Sequence, residues 1–526
     1  MSNQREHVEI FDTTLRDGMQ VEGVSATVED KLRIAEQLDL LGVTYIEGGW
    51  PGANPKDIEF FARAAVDLRL SNSRLVAFGS TRRPMGRVDD DPTLRNLVEA
   101  GTEAVCIVAK SWDYHVLNAL GTTLDEGEQM IADSVEFLRG NGVRVMLDAE
   151  HFFDGYKRNP EFAMRALEAA AVKGASHLVL CDTNGGSLPH EVETIVAAVK
   201  AHFREDVTIA IHCHDDTGCA VANAMAAVRS GARQVQGCIN GLGERTGNTN
   251  LTTVIPNLEL KMGYRCLPEG NLGRLTAVSH HIAELLNRPL NPQAPYVGAS
   301  AFAHKAGLHV SAIRKAKDAY EHVDPDTVGN GTRFVVSEMA GKATIQAKAE
   351  DLGLQMDGAV VNQVIDELKR LEHEGFHFEA ADASLELLMR RASGWQQEYF
   401  SVESMRVITD ELPNGQFNTE ATVKVWVGDD RSVHTAEGNG PVNAIDKALR
   451  SAVSVRYPQV NQIHLTDYKV RILDGATATG AVTRVLIDAT NGERSWTTIG
   501  VSPNIIEASW QALAESLVYG LLHSSK

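Results

Sequence analysis

Two histidines, His212 and His214, follow an apolar run at residues 207–211 that is typical of a β-strand. Side chains on a strand alternate between its two faces, so both imidazoles should point the same way. Two imidazoles on one face at the end of a strand form half of a site for a divalent metal. The alternative is a pair of buried histidines that only make hydrogen bonds.

A carboxylate that could complete this site lies in the segment Asp-Thr-Thr-Leu-Arg-Asp-Gly at residues 12–18, which ends the first predicted strand. Asp17 offers a hard oxygen ligand, and an Asp-His-His set without thiolate suits Mg²⁺, Mn²⁺ or Zn²⁺. The neighbouring Arg16 offers a planar fork for a carboxylate or a polarised carbonyl group. The alternative for Arg16 and Asp17 is an ordinary ion pair.

Two further polar residues follow predicted strands. Glu150, in Asp-Ala-Glu-His at residues 148–151, could bind a substrate or act as a base beside a metal. Asn248 closes the glycine-rich segment at residues 240–248, where the backbone can approach a ligand closely. Asn248 could add a weak carbonyl ligand. The alternative is a tight turn before a helix that Thr246 or Asn248 caps.

The elements that must position these residues repeat along the first half of the chain. Short apolar strands are predicted at residues 8–12, 43–47, 75–78, 104–108, 143–147, 177–181, 207–211 and 234–239. Amphipathic helices are predicted at about 28–41, 56–69, 92–100, 123–140, 159–173, 189–202, 217–230 and 247–261. Eight such units predict a (β/α)8 TIM barrel, with an active site at the C-terminal ends of the strands, where the candidate residues converge. The alternative, a doubly wound sheet, lacks its glycine fingerprint after the first strand.

The rest of the chain divides into two parts. Residues 265–398 read as a helical linker subdomain with a proline-rich break. Strands at 400–408, 422–427, 468–473, 482–488 and 495–499, with helices at 441–455 and 504–522, predict a C-terminal α+β domain over residues 399–526. Arg-Ser-Val-His-Thr at 431–435 resembles Arg-Ser-Trp-Thr-Thr at 494–498, and each is followed by glycine, proline and a helix. This repeat predicts a pseudo-twofold domain with a cleft, either a ligand-sensing regulatory domain or a structural, dimerising one.

Composition limits the classes of partner. The chain of 526 residues has a net charge of −20 and no prominent Lys/Arg cluster, which argues against nucleic acids and anionic membranes as partners. We expect neither a signal peptide nor a membrane-spanning segment. The six cysteines form no Cys-x-x-Cys pair, as expected of a cytoplasmic protein with reduced thiols.

Together, residues 12–18, Glu150, 181–183, 212–215 and 241–248 resemble the DRE-TIM metallolyase superfamily. Within it, the whole chain resembles the 2-isopropylmalate, homocitrate and citramalate synthase group. The segments at 47–57 and 148–156 look like the citramalate synthase branch, because isopropylmalate synthases typically carry Glu-Val-Gly-Phe-Pro at the first of them. The barrel domain would then span residues 1–264.

The resemblance implies a metal-dependent Claisen condensation of acetyl-CoA with pyruvate, followed by thioester hydrolysis to (R)-citramalate and CoA. This reaction opens a pyruvate route to isoleucine. Close alternatives are an isopropylmalate or homocitrate synthase that uses another 2-oxo acid. More distant ones are a retro-aldol acyl-CoA lyase, which generally lacks the C-terminal domain, and a non-catalytic sensor.

The resemblance also assigns roles to residues. The metal would be held by Asp17, His212 and His214, with Asn248 as a further ligand. Four residues would act on the substrates: Arg16 on the developing alkoxide, Thr183 on the substrate carboxylate, Glu150 in positioning or proton transfer, and Trp50 in narrowing the pocket to a methyl group.

The linker subdomain contributes the motif at residues 303–309, with His309 as a catalytic residue and Tyr320 accompanying it. In this family the subdomain reaches a partner chain's barrel, which implies a homodimer. The C-terminal domain would bind an amino-acid effector, isoleucine in this branch, beside backbone loops at residues 438–441 and 475–480.

Overall fold

Eight parallel strands form a closed barrel in chain order, which confirms the predicted TIM barrel. They belong to a computed structural model that describes residues 5–203, 207–305, 309, 312–313, 316, 319–334, 341–473 and 480–524. The barrel strands are β1 Glu9–Asp12, β2 Tyr45–Gly49, β3 Arg74–Ser80, β4 Ala104–Lys110, β5 Arg144–Glu150, β6 His177–Asp182, β7 Thr208–Cys213 and β8 Gln234–Gly237.

Helices follow the strands along the chain and cover the barrel. They are α1 Val28–Leu41, α2 Pro55–Asp67, α3 Pro92–Glu99, α4 Asp113–Asn118, α5 Leu124–Gly140, α6 Phe152–Arg158, α7 Pro160–Val172, α8 Pro189–His202, α9 Ala220–Arg229, α10 Leu251–Pro256 and α11 Leu275–Leu285. Single turns of 3₁₀ helix lie at Gly18–Gln20, Val88–Asp90, Ile239–Gly241 and Asn271–Arg274. The short helices α4 and α6 were not predicted, since each is too short to show an amphipathic period.

The last barrel helix differs from its prediction at both ends. It begins at Leu251 and is capped by Asn250, whose side chain accepts a hydrogen bond from Thr252 N, so the alternative in which Thr246 or Asn248 caps this helix is wrong. Pro256 ends α10, and the chain continues as a π-helical turn at Asn257–Lys261. A proline inside a helix cannot donate its backbone hydrogen bond, which accounts for the change of helix type.

Barrel closure determines which segments meet at the rim. β1 pairs with β8, with Asp12 opposite Gly237, and β7 pairs with β8, with His212 opposite Gln236. The segment after β1 therefore lies beside the ends of β7 and β8, although more than 190 residues separate Asp17 from His212 in sequence. One apolar cluster of the barrel is formed by side chains of the first five strands, and a smaller one by side chains of β6 and β7.

The second half of the chain contains two antiparallel three-stranded sheets among its described residues. One has β11 Ser401–Glu411, β12 Phe417–Val427 and β13 Asp430–Gly438, followed by α15 Pro441–Val453. The other has β14 His464–Ile472, β15 Thr483–Thr490 and β16 Ser495–Ser502, followed by α16 Ile505–Leu522. The linker contributes the short pair β9 Ala303–His304 and β10 Arg333–Phe334, then α12 Lys342–Asp351, α13 Gly358–His373 and α14 Asp382–Ala392, with 3₁₀ turns at Pro325–Val328, Phe378–Ala380 and Pro458–Gln462.

The two sheet-and-helix units confirm the predicted pseudo-twofold repeat. The similar pentapeptides fall at corresponding places, at β13 and at β16. β13 itself was not predicted, because most of its side chains are polar and none is fully buried. Its hydrogen bonds to β12 come from tertiary structure.

By packing, the chain forms two compact units, residues 1–302 with 322–331, and residues 303–321 with 332–526. The predicted domain limits at residues 264 and 398 stay a prediction. Among the described residues, no helix combines the length and the apolar character that crossing a bilayer requires.

Candidate metal centre and active site

The three predicted metal ligands of the barrel lie together at its C-terminal rim. His212 Nε2 is 3.3 Å and His214 Nε2 is 3.7 Å from the same oxygen, Oδ2 of Asp17. Asp17, His212 and His214 are 3%, 5% and 6% exposed. One nitrogen or oxygen of each lies within 4.8 Å of the others, so the three could hold one ion.

The electrostatic surroundings favour the metal-binding protonation states of Asp17 and His214, whereas the Asp17 carboxylate raises the pKa of His212 against the effect of burial. Burial opposes a charge on Asp17, but the Arg16 guanidinium above all, together with the neighbouring His212, holds the pKa of Asp17 well below its usual range. Burial and the neighbouring His212 lower the pKa of His214 to about 4. A charged carboxylate and a neutral imidazole are the ligand forms that bind a cation.

The backbone of Asn248 lies next to this cluster, and its side-chain oxygen, free of partners among the described residues, can bind a cation. Asn248 is 2% exposed, and its Nδ2 donates to Leu242 O at 3.1 Å, while its Oδ1 has no hydrogen-bond partner among the described residues. The backbones of Asn248 and His214 form an isolated antiparallel bridge. A buried acceptor without a partner is costly, so this oxygen fits a role as a further ligand. One carboxylate, two imidazoles and an amide oxygen suit a divalent cation.

Arg16 is held beside the cluster by Glu47, a residue for which the sequence predicts no role. Its Nε donates to Glu47 Oε2 at 2.7 Å, and its guanidinium lies 3.8 Å from the centre of the Phe78 ring. Glu47 also accepts from the Thr13 hydroxyl at 2.5 Å. The position of Glu47 near the end of β2 was the available signal, because strand ends meet at the rim.

Glu150 and Thr183 lie at the ends of neighbouring strands. Glu150 ends β5 and forms an ion pair with Lys110, the residue opposite it at the end of β4. The Thr183 hydroxyl follows β6 and accepts from His151 N at 2.9 Å. His151 itself has a left-handed φ of 56°. Lys110 was missed, although it too ends a barrel strand.

Trp50 follows β2 and packs edge-on against Phe78, with 5.5 Å between the ring centres. It lines a cavity of about 670 Å³ together with Arg16 and with residues of the segments at 19–26 and 53–57. The side chain therefore lies where it can limit the size of a group bound next to Arg16.

His309 and Tyr320 belong to the second compact unit. Their rings stack with 4.1 Å between the centres and 24° between the planes. Tyr320 is half exposed. Residues 306–308 of the predicted motif lie outside the described residues, so the structure describes residues 303–305, His309 and Tyr320 of this prediction.

A cavity of about 630 Å³ lies in the C-terminal domain beside the predicted backbone loop. Gly440 and Pro441 line it at the start of α15, and Tyr468 of β14 lines it from the other repeat. Asp446 and Arg450, also in its wall, form an ion pair of 2.7 Å. The second predicted loop lies outside the described residues at positions 475–479.

Family models divide the chain in the same order as its folded parts. The HMGL-like model matches residues 7–282, the homocitrate synthase post-HMGL domain-like model matches residues 296–375, and the LeuA allosteric (dimerisation) domain matches residues 379–521. Relatives named (R)-citramalate synthase match nearly the whole chain. The chain belongs to the citramalate synthase family.

Three of these relatives show the extent of the match. The Streptomyces coelicolor enzyme is 52% identical over 98% of this chain and 97% of its own length. The Aquifex aeolicus enzyme is 51% identical over 98% of both chains. The Synechocystis enzyme is 49% identical over 99% of this chain and 97% of its own. The resemblance found in the sequence is thus confirmed, including the branch.

Proposed function

We propose that this chain condenses acetyl-CoA with pyruvate and hydrolyses the resulting thioester, which yields (R)-citramalate and CoA. The carrying observation is the buried cluster of Asp17, His212 and His214 beside Arg16 at the barrel rim. The names of the full-length relatives support pyruvate as the 2-oxo acid. The alternatives within the superfamily would use another 2-oxo acid or cleave an acyl-CoA.

Asp17, His212 and His214 would hold a divalent cation, Mg²⁺, Mn²⁺ or Zn²⁺, with Asn248 Oδ1 as a weaker ligand. When bound, this cation would polarise the keto group of pyruvate as a Lewis acid. Asp17 contributes the one negative charge of the set, because both histidines bind metals as neutral imidazoles.

Arg16 would stabilise the negative charge that develops on the keto oxygen as the new carbon–carbon bond forms. Glu47 fixes the orientation of its guanidinium through Nε, and NH1 lies 3.5 Å from Asp17 Oδ1. Because these contacts exist before a substrate binds, little reorganisation is needed during the reaction.

The remaining roles are assigned to groups around the rim. Thr183 would donate its hydroxyl proton to the pyruvate carboxylate, since this oxygen already accepts from His151 N. Glu150 would position the substrate or take part in proton transfer, and its ion pair with Lys110 holds the carboxylate in place. Trp50 would exclude 2-oxo acids with branched side chains.

We assign His309 and Tyr320 to proton transfer in the same reaction. The close stacking of their rings holds the two side chains next to each other, and the half-exposed Tyr320 is accessible to a substrate. The match to a dimerisation domain supports a homodimer as the active form. We further propose isoleucine as an effector that binds the cavity beside Gly440 and Pro441, and a cytoplasmic setting for the enzyme.

The test measures the release of CoA thiol from acetyl-CoA with pyruvate, 2-oxobutyrate, 2-oxoisovalerate and 2-oxoglutarate, with Mg²⁺ or Mn²⁺ and with EDTA. We expect metal-dependent release that is fastest with pyruvate. Faster release with 2-oxoisovalerate or 2-oxoglutarate would contradict the substrate assignment. No release with any acid would contradict the synthase assignment and favour a lyase or a sensor.

A further inference from the structure

A chain of buried hydrogen bonds begins at the second ring nitrogen of His212. His212 Nδ1 lies 2.9 Å from Gln236 Oε1, and Gln236 Nε2 donates to Asp148 Oδ1 at 3.3 Å. The same carboxylate oxygen accepts from Cys106 Sγ at 3.0 Å. Gln236 is fully buried and Asp148 is 4% exposed, so water does not compete for these groups.

The donors and acceptors in this series of hydrogen bonds allow only one arrangement of the protons. As a carboxylate, Asp148 can only accept hydrogen bonds. The amide of Gln236 must therefore turn its NH₂ group towards Asp148 and its oxygen towards His212. An oxygen at that place can only accept, so the proton of a neutral His212 must sit on Nδ1. The lone pair then lies on Nε2, the nitrogen that faces Asp17.

We infer that Asp148 and Gln236 are positioning residues that select the tautomer of His212 able to bind the metal. Asp148 acts by fixing the direction of the Gln236 amide, and Gln236 acts by accepting the Nδ1 proton. Partners of this kind orient metal-binding histidines and raise their basicity. The inference rests on the proposed metal site.

Gln234 provides a matched control in the same strand. It precedes Gln236 by two residues on the same face of β8 and is also fully buried. Its Nε2 donates to Glu9 Oε2 at 3.0 Å, and Glu9 pairs with His177 at the other end of the barrel. A substitution of Gln234 thus disturbs a comparable buried amide without touching His212.

The experiment compares Gln236→Met with Gln234→Met in the full-length protein. Methionine has nearly the shape of glutamine but offers no amide. We measure the Mn²⁺ dissociation constant by calorimetric titration and the thermal unfolding of the metal-free protein. We expect Gln236→Met to weaken Mn²⁺ binding roughly 10–100-fold, the usual effect of losing such a partner. Gln234→Met should bind Mn²⁺ as the parent does, with a similar change in metal-free unfolding temperature.

Two further variants test the direction of these hydrogen bonds. They also keep the inference testable if Gln236→Met fails to fold. Gln236→Glu keeps an acceptor for His212 and should restore most of the Mn²⁺ affinity. Asp148→Asn can donate as well as accept, so it no longer fixes the Gln236 amide and should weaken binding. Parent-like Mn²⁺ affinity in both Gln236→Met and Asp148→Asn would overturn the inference, as would equal losses in Gln234→Met and Gln236→Met. Absence of Mn²⁺ binding by the parent would instead overturn the metal site itself.

Discussion

At the level of single residues, Arg16 is a mostly buried cation that its neighbours hold in a fixed position beside the metal site. Burial opposes its charge, but Glu47 and Asp17 raise the pKa of its guanidinium, which therefore stays protonated. The two carboxylates and the Phe78 ring hold this cation in one direction. A fixed cation beside a metal site is suited to a developing alkoxide, because it needs no rearrangement when the charge appears.

Replacing Trp50 by leucine should widen the pocket for the 2-oxo acid. Trp50 packs on Phe78 and lines the cavity next to Arg16, so a smaller side chain leaves room for a branched substrate. We expect kcat/KM for 2-oxoisovalerate relative to pyruvate to rise at least about tenfold, the scale of one or two methylene groups. Steady-state kinetics with both acids measure the ratio. Trp112→Leu, at a tryptophan that stacks on His115, is the control and should leave this ratio unchanged. An unchanged ratio in Trp50→Leu would contradict the prediction.

Asp12 should make stability depend on pH. Burial raises its pKa to about 7 from an ordinary 3.8, so between these values the folded state holds a proton that the unfolded state has lost. This contribution to stability is full at low pH, is lost as the pH rises towards 7 and is constant above. Between pH 5 and 8 it amounts to at most about 3 kcal/mol.

The measurement is thermal unfolding in EDTA at pH 5 and pH 8. Asparagine imitates the protonated acid, so we expect the fall in unfolding temperature from pH 5 to pH 8 to be smaller in Asp12→Asn than in the parent. The same fall in both proteins would show that Asp12 does not carry this dependence.

At the level of elements, the segment between β8 and α10 carries Asn248 against the end of β7. The bridge between His214 and Asn248 holds this segment, and its glycines permit its tight path. Gly243 has a φ of 149°, and a Cβ there would lie 2.2 Å from Asn248 Nδ2. Glycine is thus required both for the backbone angle and for the placement of the asparagine.

Gly243→Ala should displace Asn248 and weaken metal binding. We expect a loss of stability of about 1–3 kcal/mol from backbone strain, with weaker Mn²⁺ binding in addition. Gly263→Ala is the control, because Gly263 also has a positive φ, of 77°, but has no atom within 4 Å of an added Cβ. It should lose stability and keep its Mn²⁺ affinity. Calorimetric titration and thermal unfolding distinguish the two, and equal Mn²⁺ affinities would contradict a role for Asn248.

At the level of the whole molecule, a barrel with a candidate catalytic site is joined in one chain to a twofold-repeated domain. The repeated domain matches the LeuA allosteric (dimerisation) domain and contains a cavity between its two repeats. A ligand there can influence a distant reaction only if it binds two states of the protein with different affinity. The cavity wall, with glycine backbone and the Asp446–Arg450 pair, offers partners for an amino acid.

Filling that cavity should abolish inhibition by isoleucine. Val442 lines it at the start of α15, so Val442→Trp would occupy the space of the ligand. We expect isoleucine to slow CoA release in the parent and to have no effect in the variant. Val470→Trp, on the exposed side of β14, is the control and should still be inhibited. Inhibition of Val442→Trp equal to that of the parent would contradict this site, and no heat on titrating the parent with isoleucine would contradict the effector.

The sequence by itself determined the barrel, the repeated C-terminal units and the cluster of Asp17, His212 and His214. Strand period and strand ends are local properties, and in a TIM barrel they are enough to send residues to one rim. The family motifs determined the branch, and the match of the chain to nearly the full length of the relatives confirmed it.

Tertiary structure alone decided the partners of these residues. Lys110 with Glu150 and Asp148 with Gln236 are pairs between different strands, and Glu47 with Arg16 joins β2 to the segment that follows β1. Their contacts depend on barrel register and closure, which no local pattern encodes. The strand at Asp430–Gly438 was missed for the same reason, because its pairing with β12, and not the apolar character of its residues, makes it a strand.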